Sequence, residues 1–252
     1  MLRRGTSLVE VLVVLGIVAL LAGLLVPAVG HARKSARSAD AMSRLKQLSL
    51  AAISYANFND GWYPSALLYD SSAGLTTISW DFKLLPDGRV EPGPLWKFTD
   101  NPGQAQQDPL YTGPTNFGGE PYTGFNYNTT YIGGEAPWGQ GWSLFRRGVP
   151  PGAWRRPEST AVFGLGGYVN GANKFMRAPG NSVEGDWGLV YSGGQAFRAV
   201  GGTTIVAYLD AHVGSASQPR RGAHATPSLL NQTMGFPANG FLSDDDRNYD
   251  PR

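Results

Sequence analysis

Residues 11–29 carry no charged side chain. At about 1.5 Å per helical residue this run, joined to residues 6–10, is long enough to cross the roughly 30 Å hydrocarbon core of a bilayer. Glu10 stands immediately before it. A carboxylate inside a membrane costs about 2.5–3.5 kcal/mol unless it finds a partner, so a charge at this place is a functional hypothesis in itself.

The residues just before Glu10 supply a partner. If the chain is cut between Gly5 and Thr6, the new ammonium of Thr6 lies near Glu10 on the first turns of a helix, or reaches the same carboxylate of a neighbouring subunit. Two costly charges then offset each other. Arg3-Arg4-Gly5-Thr6-Ser7-Leu8-Val9-Glu10 resembles the leader of the type IV pilin-like proteins, which include the type II secretion pseudopilins. There a short basic leader ends in Gly, and an acidic residue stands five places after the cut.

The resemblance implies a specific fate. A prepilin peptidase of the cytoplasmic membrane removes residues 1–5 and N-methylates Thr6, and the apolar helix stays as anchor and assembly element. Relatives usually begin with Phe or Met where this chain has Thr6. Gly5 at the cut lets a peptidase approach the backbone closely. The alternative is an ordinary secretory signal peptide cleaved near Gly30-His31-Ala32. Against it stand Glu10 and an apolar run longer than the 7–15 residues typical of a signal core.

Arg3 and Arg4 account for the net charge of +2, so loss of the leader leaves side-chain charge balanced. That is no nucleic-acid footprint. Arg33, Lys34 and Arg37 follow the span, and the leader resemblance rather than charge sets the expected orientation. Cysteine is absent, which excludes disulfides, a thiolate nucleophile and a zinc ribbon.

Within the span, Gly16, Ala19, Gly23 and Gly30 share one helical face, where small residues let helices approach closely in lipid. Glycine is also simply tolerated in membrane helices. Pro27 removes a backbone donor and predicts a kink. Beyond it Ala39, Met42, Leu45, Leu48, Ala52 and Tyr55 recur at spacings of three and four, an amphipathic helix with one buried face. Asp60-Gly61 and Pro64 then stop it.

Leu45-Lys46-Gln47-Leu48, Tyr55-Ala56-Asn57 and Asp60-Gly61-Trp62-Tyr63-Pro64 narrow the resemblance to a pilin-like group abundant in planctomycete-type bacteria, which carries a domain of unknown function (DUF1559-like). Residues 156–163 resemble that group's Pro-Ser-x-Thr strand, and Gly201-Gly202 with residues 208–213 its C-terminal signature. That signature has a His ten residues before an Asp-Gly pair. Here Val200 and Ala211 stand in those places.

With 34 Gly and 18 Pro in 252 residues, the remainder predicts one domain rich in turns. Strand candidates are 76–85, 122–132, 160–165, 187–191 and 203–209, with a hairpin over 209–214 through Asp210-Ala211. The expected fold class is α+β: a long N-terminal stem helix, transmembrane then amphipathic, packed on an antiparallel β-sheet domain with long loops. The expected order is a cleaved leader (1–5), a transmembrane helix (6–30), an amphipathic stem (31–57), a β-rich globular domain (58–240) and a flexible acidic tail (241–252).

Catalytic chemistry is sparse. His31, His212 and His224 are far apart, and neither a His-x-x-Glu-His nor a Gly-x-Ser-x-Gly pattern occurs. His212 and Asp210 sit two apart and read as a sheet-surface pair rather than a dyad. Asp244, Asp245 and Asp246 are candidate calcium ligands, set against the usual behaviour of an acidic run as a solvated tail. Trp138, Trp142 and Trp154, with Tyr122, Tyr127 and Tyr131, are candidates for stacking on a sugar or a partner, with core packing as the plainer role.

Two functional classes follow. One is a non-enzymatic pilin-like subunit of the cytoplasmic (inner) membrane, its globular domain on the periplasmic or extracellular side, with the prepilin peptidase and other pilin-like subunits as partners. The other is an anchored or secreted surface-binding domain that uses the leader for export and grips a polysaccharide or protein through Trp138 and Trp142.

Overall fold

In the computed structural model of the chain the described residues are 7–72, 74–99, 106–113, 121–122, 124–134, 147–169, 171–181, 197–198 and 201–252. The expected leader cut at Gly5 and Thr6, the strand over 187–191, and Trp138 and Trp142 lie outside them.

The chain divides into two units, residues 1–40 and 41–252. One helix, α1 (Leu8–Asn57), begins in the first and ends in the second. It begins where Ser7 offers a side-chain acceptor, and it continues on both sides of Pro27. In the first unit it is exposed through residue 37, and it is long and apolar enough to cross a membrane.

The second unit is an α+β arrangement in which residues 41–57 pack on a β-sheet. Leu45, Leu48 and Ala52 of the predicted stripe are buried, with Met42 and Tyr55 half-buried, and Ala41, Ser49, Ala51 and Ala56 join them. Ala39, expected on that stripe, is exposed; the buried face starts two residues later, where the core starts. The helix stops as expected. Asp60 (φ 53°) and Gly61 (φ 80°) turn left-handed, and the Gly61 N–H donates to the Ala56 carbonyl at 2.9 Å, satisfying an end carbonyl.

Strands β1 (Leu67–Asp70), β2 (Thr76–Ser79), β3 (Phe82–Leu84) and β4 (Val90–Pro92) form an antiparallel meander. The single run expected over 76–85 is therefore two strands, broken at Trp80-Asp81. Both residues of the break are fully buried, and Gly93 opposite lets the backbones meet, since a Cβ there would lie 2.3 Å from the Asp81 carbonyl carbon.

The main sheet holds β5 (Phe125–Asn128), β6 (Ala161–Leu165), β7 (Phe175–Met176), β9 (Thr204–Tyr208) and β10 (Val213–Ala216) in the order β10-β9-β6-β5-β7. It is mixed rather than wholly antiparallel, because β7 runs parallel to β5. A further pair joins β8 (Phe197–Arg198) to β11 (Asn239–Gly240). The strands expected at 160–165 and 203–209 and the 209–214 hairpin are present. The run over 122–132 stops at Asn128, whose side chain accepts the Tyr131 N–H at 3.1 Å and caps a π-helical turn over Thr129–Gly133.

Period-two alternation explains how both faces of β9 are buried. Ile205 and Ala207 enter one core with Leu45, Leu48, Ala52, Tyr127 and Phe163. Val206 enters a second core with Leu229, Leu230, Met234, Phe241 and Tyr249. Helix α1 covers one face of the sheet and the C-terminal region the other. The expected flexible tail over 241–252 is thus corrected: Phe241 and Tyr249 are 0% exposed, and the Arg155 and Arg156 N–H groups donate to the Pro251 carbonyl at 2.6 and 3.0 Å. Its acidic run masked the apolar residues on either side that dock it.

Candidate functional site

The sequence points to the start of α1, and there the geometry is reciprocal. The Ser7 N–H donates to Glu10 Oε2 at 2.8 Å, and the Glu10 N–H donates to Ser7 Oγ at 3.2 Å. The first helical bond follows, from Val11 N–H to the Ser7 carbonyl at 3.3 Å. This is a capping box, in which two otherwise orphaned donors are satisfied by two side chains. The positive end of the helix dipole also favours a carboxylate there. Ser7-x-x-Glu10 is its sequence signature, and reading Glu10 only as a charge in search of an ammonium missed it. Both roles are compatible, since the box uses one carboxylate oxygen and holds it beside the residue that follows Thr6.

Past the first turn the exposed side chains are apolar as far as Val29, with Leu12 at 66%, Leu24 at 66% and Val26 at 71%. In water such a surface is costly, at roughly 25 cal/mol per Å². A Cβ at Gly16, Gly23 or Gly30 would meet nothing within 4 Å, so these residues present an open, smooth strip. His31, Arg33, Lys34 and Arg37 follow on the exposed helix.

In the second unit α1 is held by more than apolar packing. Lys46 Nζ donates to the Ala211 carbonyl at 2.5 Å, and Arg44 Nη1 to the Gln107 carbonyl at 3.0 Å. Ala211 adopts φ 65° at the tip of the β9–β10 hairpin. Asp210 and His212 meet there at 2.6 Å, but on a turn rather than on one strand face. The His212 ring stacks on Tyr208 at 4.3 Å. Burial at the tip pushes the Asp210 carboxyl up, and the His212 backbone N–H and ring together outweigh it, holding the group below its usual range. The pair is an exposed turn lock.

The three candidate calcium ligands diverge. Asp244 accepts from the Gly222 N–H at 3.4 Å. Asp245 pairs with Arg247 at 2.7 and 2.8 Å, which draws its pKa down to about 2. Asp246 accepts from the Gly180 N–H at 2.7 Å and from the Tyr131 hydroxyl. Partial burial first, and Asp246 second, raise the Tyr131 pKa. Each carboxylate is already spent on its own donor. Among the described residues no group of three His, Cys, Asp or Glu side chains converges as a metal site.

The aromatic candidates separate too. Tyr127 is fully buried, with its hydroxyl donating to the Pro64 carbonyl at 2.9 Å. Trp154 packs edge-on against Tyr63 at 5.5 Å and donates to the Val149 carbonyl at 3.1 Å, and Tyr122 lies against Trp96 at 5.3 Å. These rings serve packing.

Two ion pairs, one buried and one largely so, escaped the sequence altogether. Lys174 joins Asp81 and the Tyr122 carbonyl, with Ser79 Oγ donating to the other Asp81 oxygen at 3.0 Å. Arg198 joins Asp108. Nothing in local spacing marks either, because the partners lie 93 and 90 residues apart.

No family model, no curated protein and no solved structure matches the chain.

Proposed function

We propose that the chain is a pilin-like structural subunit: a single-pass membrane protein whose leader is removed at Gly5 and whose helix α1 serves as both anchor and assembly element. The observation that carries this reading is the construction of α1. An acid-capped first turn opens onto a stretch that is uncharged from 11 to 29 and exposed along its length, and the same helix ends in the core of an α+β unit. An exposed apolar surface of this extent is stable in lipid or against copies of itself, and the strip of Gly16, Ala19, Gly23 and Gly30 suits close helix packing.

In this reading a prepilin peptidase of the cytoplasmic membrane frees the Thr6 amine and methylates it. Glu10 then pairs with a mature N-terminus and sets the register of assembly, and the globular unit stands outside the membrane. The role is structural, and the chain enters a type II secretion or pilus-like assembly with other pilin-like subunits.

Mass spectrometry of the N-terminus of membrane-recovered protein tests it. The expected chain begins at Thr6 and carries an added methyl group. A chain beginning near Arg33 identifies an ordinary signal peptide and overturns the proposal.

A further inference from the structure

We infer that Arg33, Lys34 and Arg37 form a binding site for the phosphates of anionic phospholipids, on the leaflet at the C-terminal end of the apolar stretch. The inference rests on the membrane-anchor reading of α1 and adds the lipid class that the anchor selects.

The argument begins with depth. Residues 11–29 rise about 28 Å at about 1.5 Å per residue, which nearly fills the hydrocarbon core. The polar interface beyond that core is roughly 5–8 Å thick on each side. Arg33 lies four residues past Val29, about 6 Å further along the axis, and Lys34 about 8 Å. Both fall at the level of the lipid phosphates. Arg37, about 12 Å past Val29, reaches back to that level along its aliphatic stem.

Direction comes next. At about 100° per residue the three side chains fall within a sector of about 100°, so they address one patch of headgroups rather than ringing the helix. All three are exposed. Several other Lys and Arg side chains are used internally: Lys174 is buried against Asp81 and Arg198 largely buried against Asp108, and Arg247 and Arg252 hold Asp245 and Asp250. The Arg33, Lys34 and Arg37 side chains make no ion pair or hydrogen bond with a described residue, and a cluster of unspent cations at phosphate depth is what an anionic surface attracts. Arginine's planar fork suits bidentate phosphate contact, which a zwitterionic headgroup offers without the net negative charge.

The test uses the full chain, reconstituted into vesicles of phosphatidylcholine and phosphatidylglycerol in equal parts. Retained lipids are counted by native mass spectrometry for wild type and for Arg33→Gln/Lys34→Gln/Arg37→Gln. Wild type should be enriched about tenfold or more in phosphatidylglycerol, as each cation at a charged surface adds about fivefold. The triple variant should fall to the bulk ratio, and Arg33→Lys/Arg37→Lys should keep most of the preference.

A bulk ratio in wild type, or equal enrichment in the triple variant, overturns the inference. So does displacement of the lipid by millimolar inorganic phosphate, which would make the site one for the free anion. Alkaline carbonate extraction from pure phosphatidylcholine vesicles separates the two readings. Wild type and variant both stay with the membrane if α1 is an anchor, whatever the lipid preference, and release of both overturns the anchor and the lipid site together.

Discussion

Ser7 and Glu10 each accept the other's backbone N–H across the first turn of α1. The carboxylate that reads from sequence as an isolated intramembrane charge is therefore already anchored within its own chain, and its geometric and electrostatic roles can be separated by substitution.

Glu10→Gln keeps an acceptor for the Ser7 N–H and removes the charge. The start of α1 should persist, with amide exchange of residues 8–11 in detergent close to wild type, while entry into assemblies, read as cross-linked oligomers, drops at least tenfold. Ser7→Ala should do the reverse, loosening the first turn by about 1 kcal/mol and leaving the charge in place. Normal assembly of Glu10→Gln would sink the pairing role.

Lys174→Met should be among the most damaging single changes in the second unit. It strands the Asp81 carboxylate, 0% exposed, without its cation, at a cost of about 3–5 kcal/mol. Lys174→Met combined with Asp81→Leu should recover most of that loss, because a buried pair replaced as a whole sheds its desolvation penalty. Denaturant titration followed by tryptophan emission reads both. A double variant no better than the single one would show that the pair holds the β2–β3 turn by something other than charge.

Gly61→Ala should lower the melting temperature. Gly61 sits at φ 80°, where a side chain costs about 1–2 kcal/mol, and the new Cβ would approach Pro151 Cγ to 3.1 Å. The expected shift is a few degrees at roughly 2–4 °C per kcal/mol for a unit of this size. An unchanged melting temperature would mean that the end of α1 contributes little to the fold.

The helix, its stop at Asp60-Gly61 and the strands β6 and β9 were legible because each rests on a local rule: period 3.6, a left-handed turn, or a β-branched run. Trp80-Asp81 was not, since an apolar run gives no sign of a break that is made by burial against Gly93. The pairing of Lys174 with Asp81 depends on a tertiary contact that no spacing encodes. At the N-terminus one role was missed: Ser7 and Glu10 carry a familiar capping signature that the family resemblance drew attention away from.

The strongest departure concerns residues 241–252, and it yields the clearest test. A flexible acidic tail could be deleted without consequence. Here Tyr249 lies in the second core, its hydroxyl accepts the Leu242 N–H at 2.8 Å, and its carbonyl accepts from Asn128 Nδ2 at 2.9 Å, while the same amide nitrogen donates to the Ala161 carbonyl at 2.8 Å. The segment therefore ties the outer face of the sheet to β5 and β6. Tyr249→Phe removes the acceptor for one buried N–H and should cost about 1–3 kcal/mol. Deleting 241–252 uncovers Val206 and Met234 and should abolish cooperative unfolding of the second unit, read as loss of near-ultraviolet circular dichroism with β-structure retained in the far ultraviolet. A truncated chain that melts like wild type would return the segment to the status of a tail.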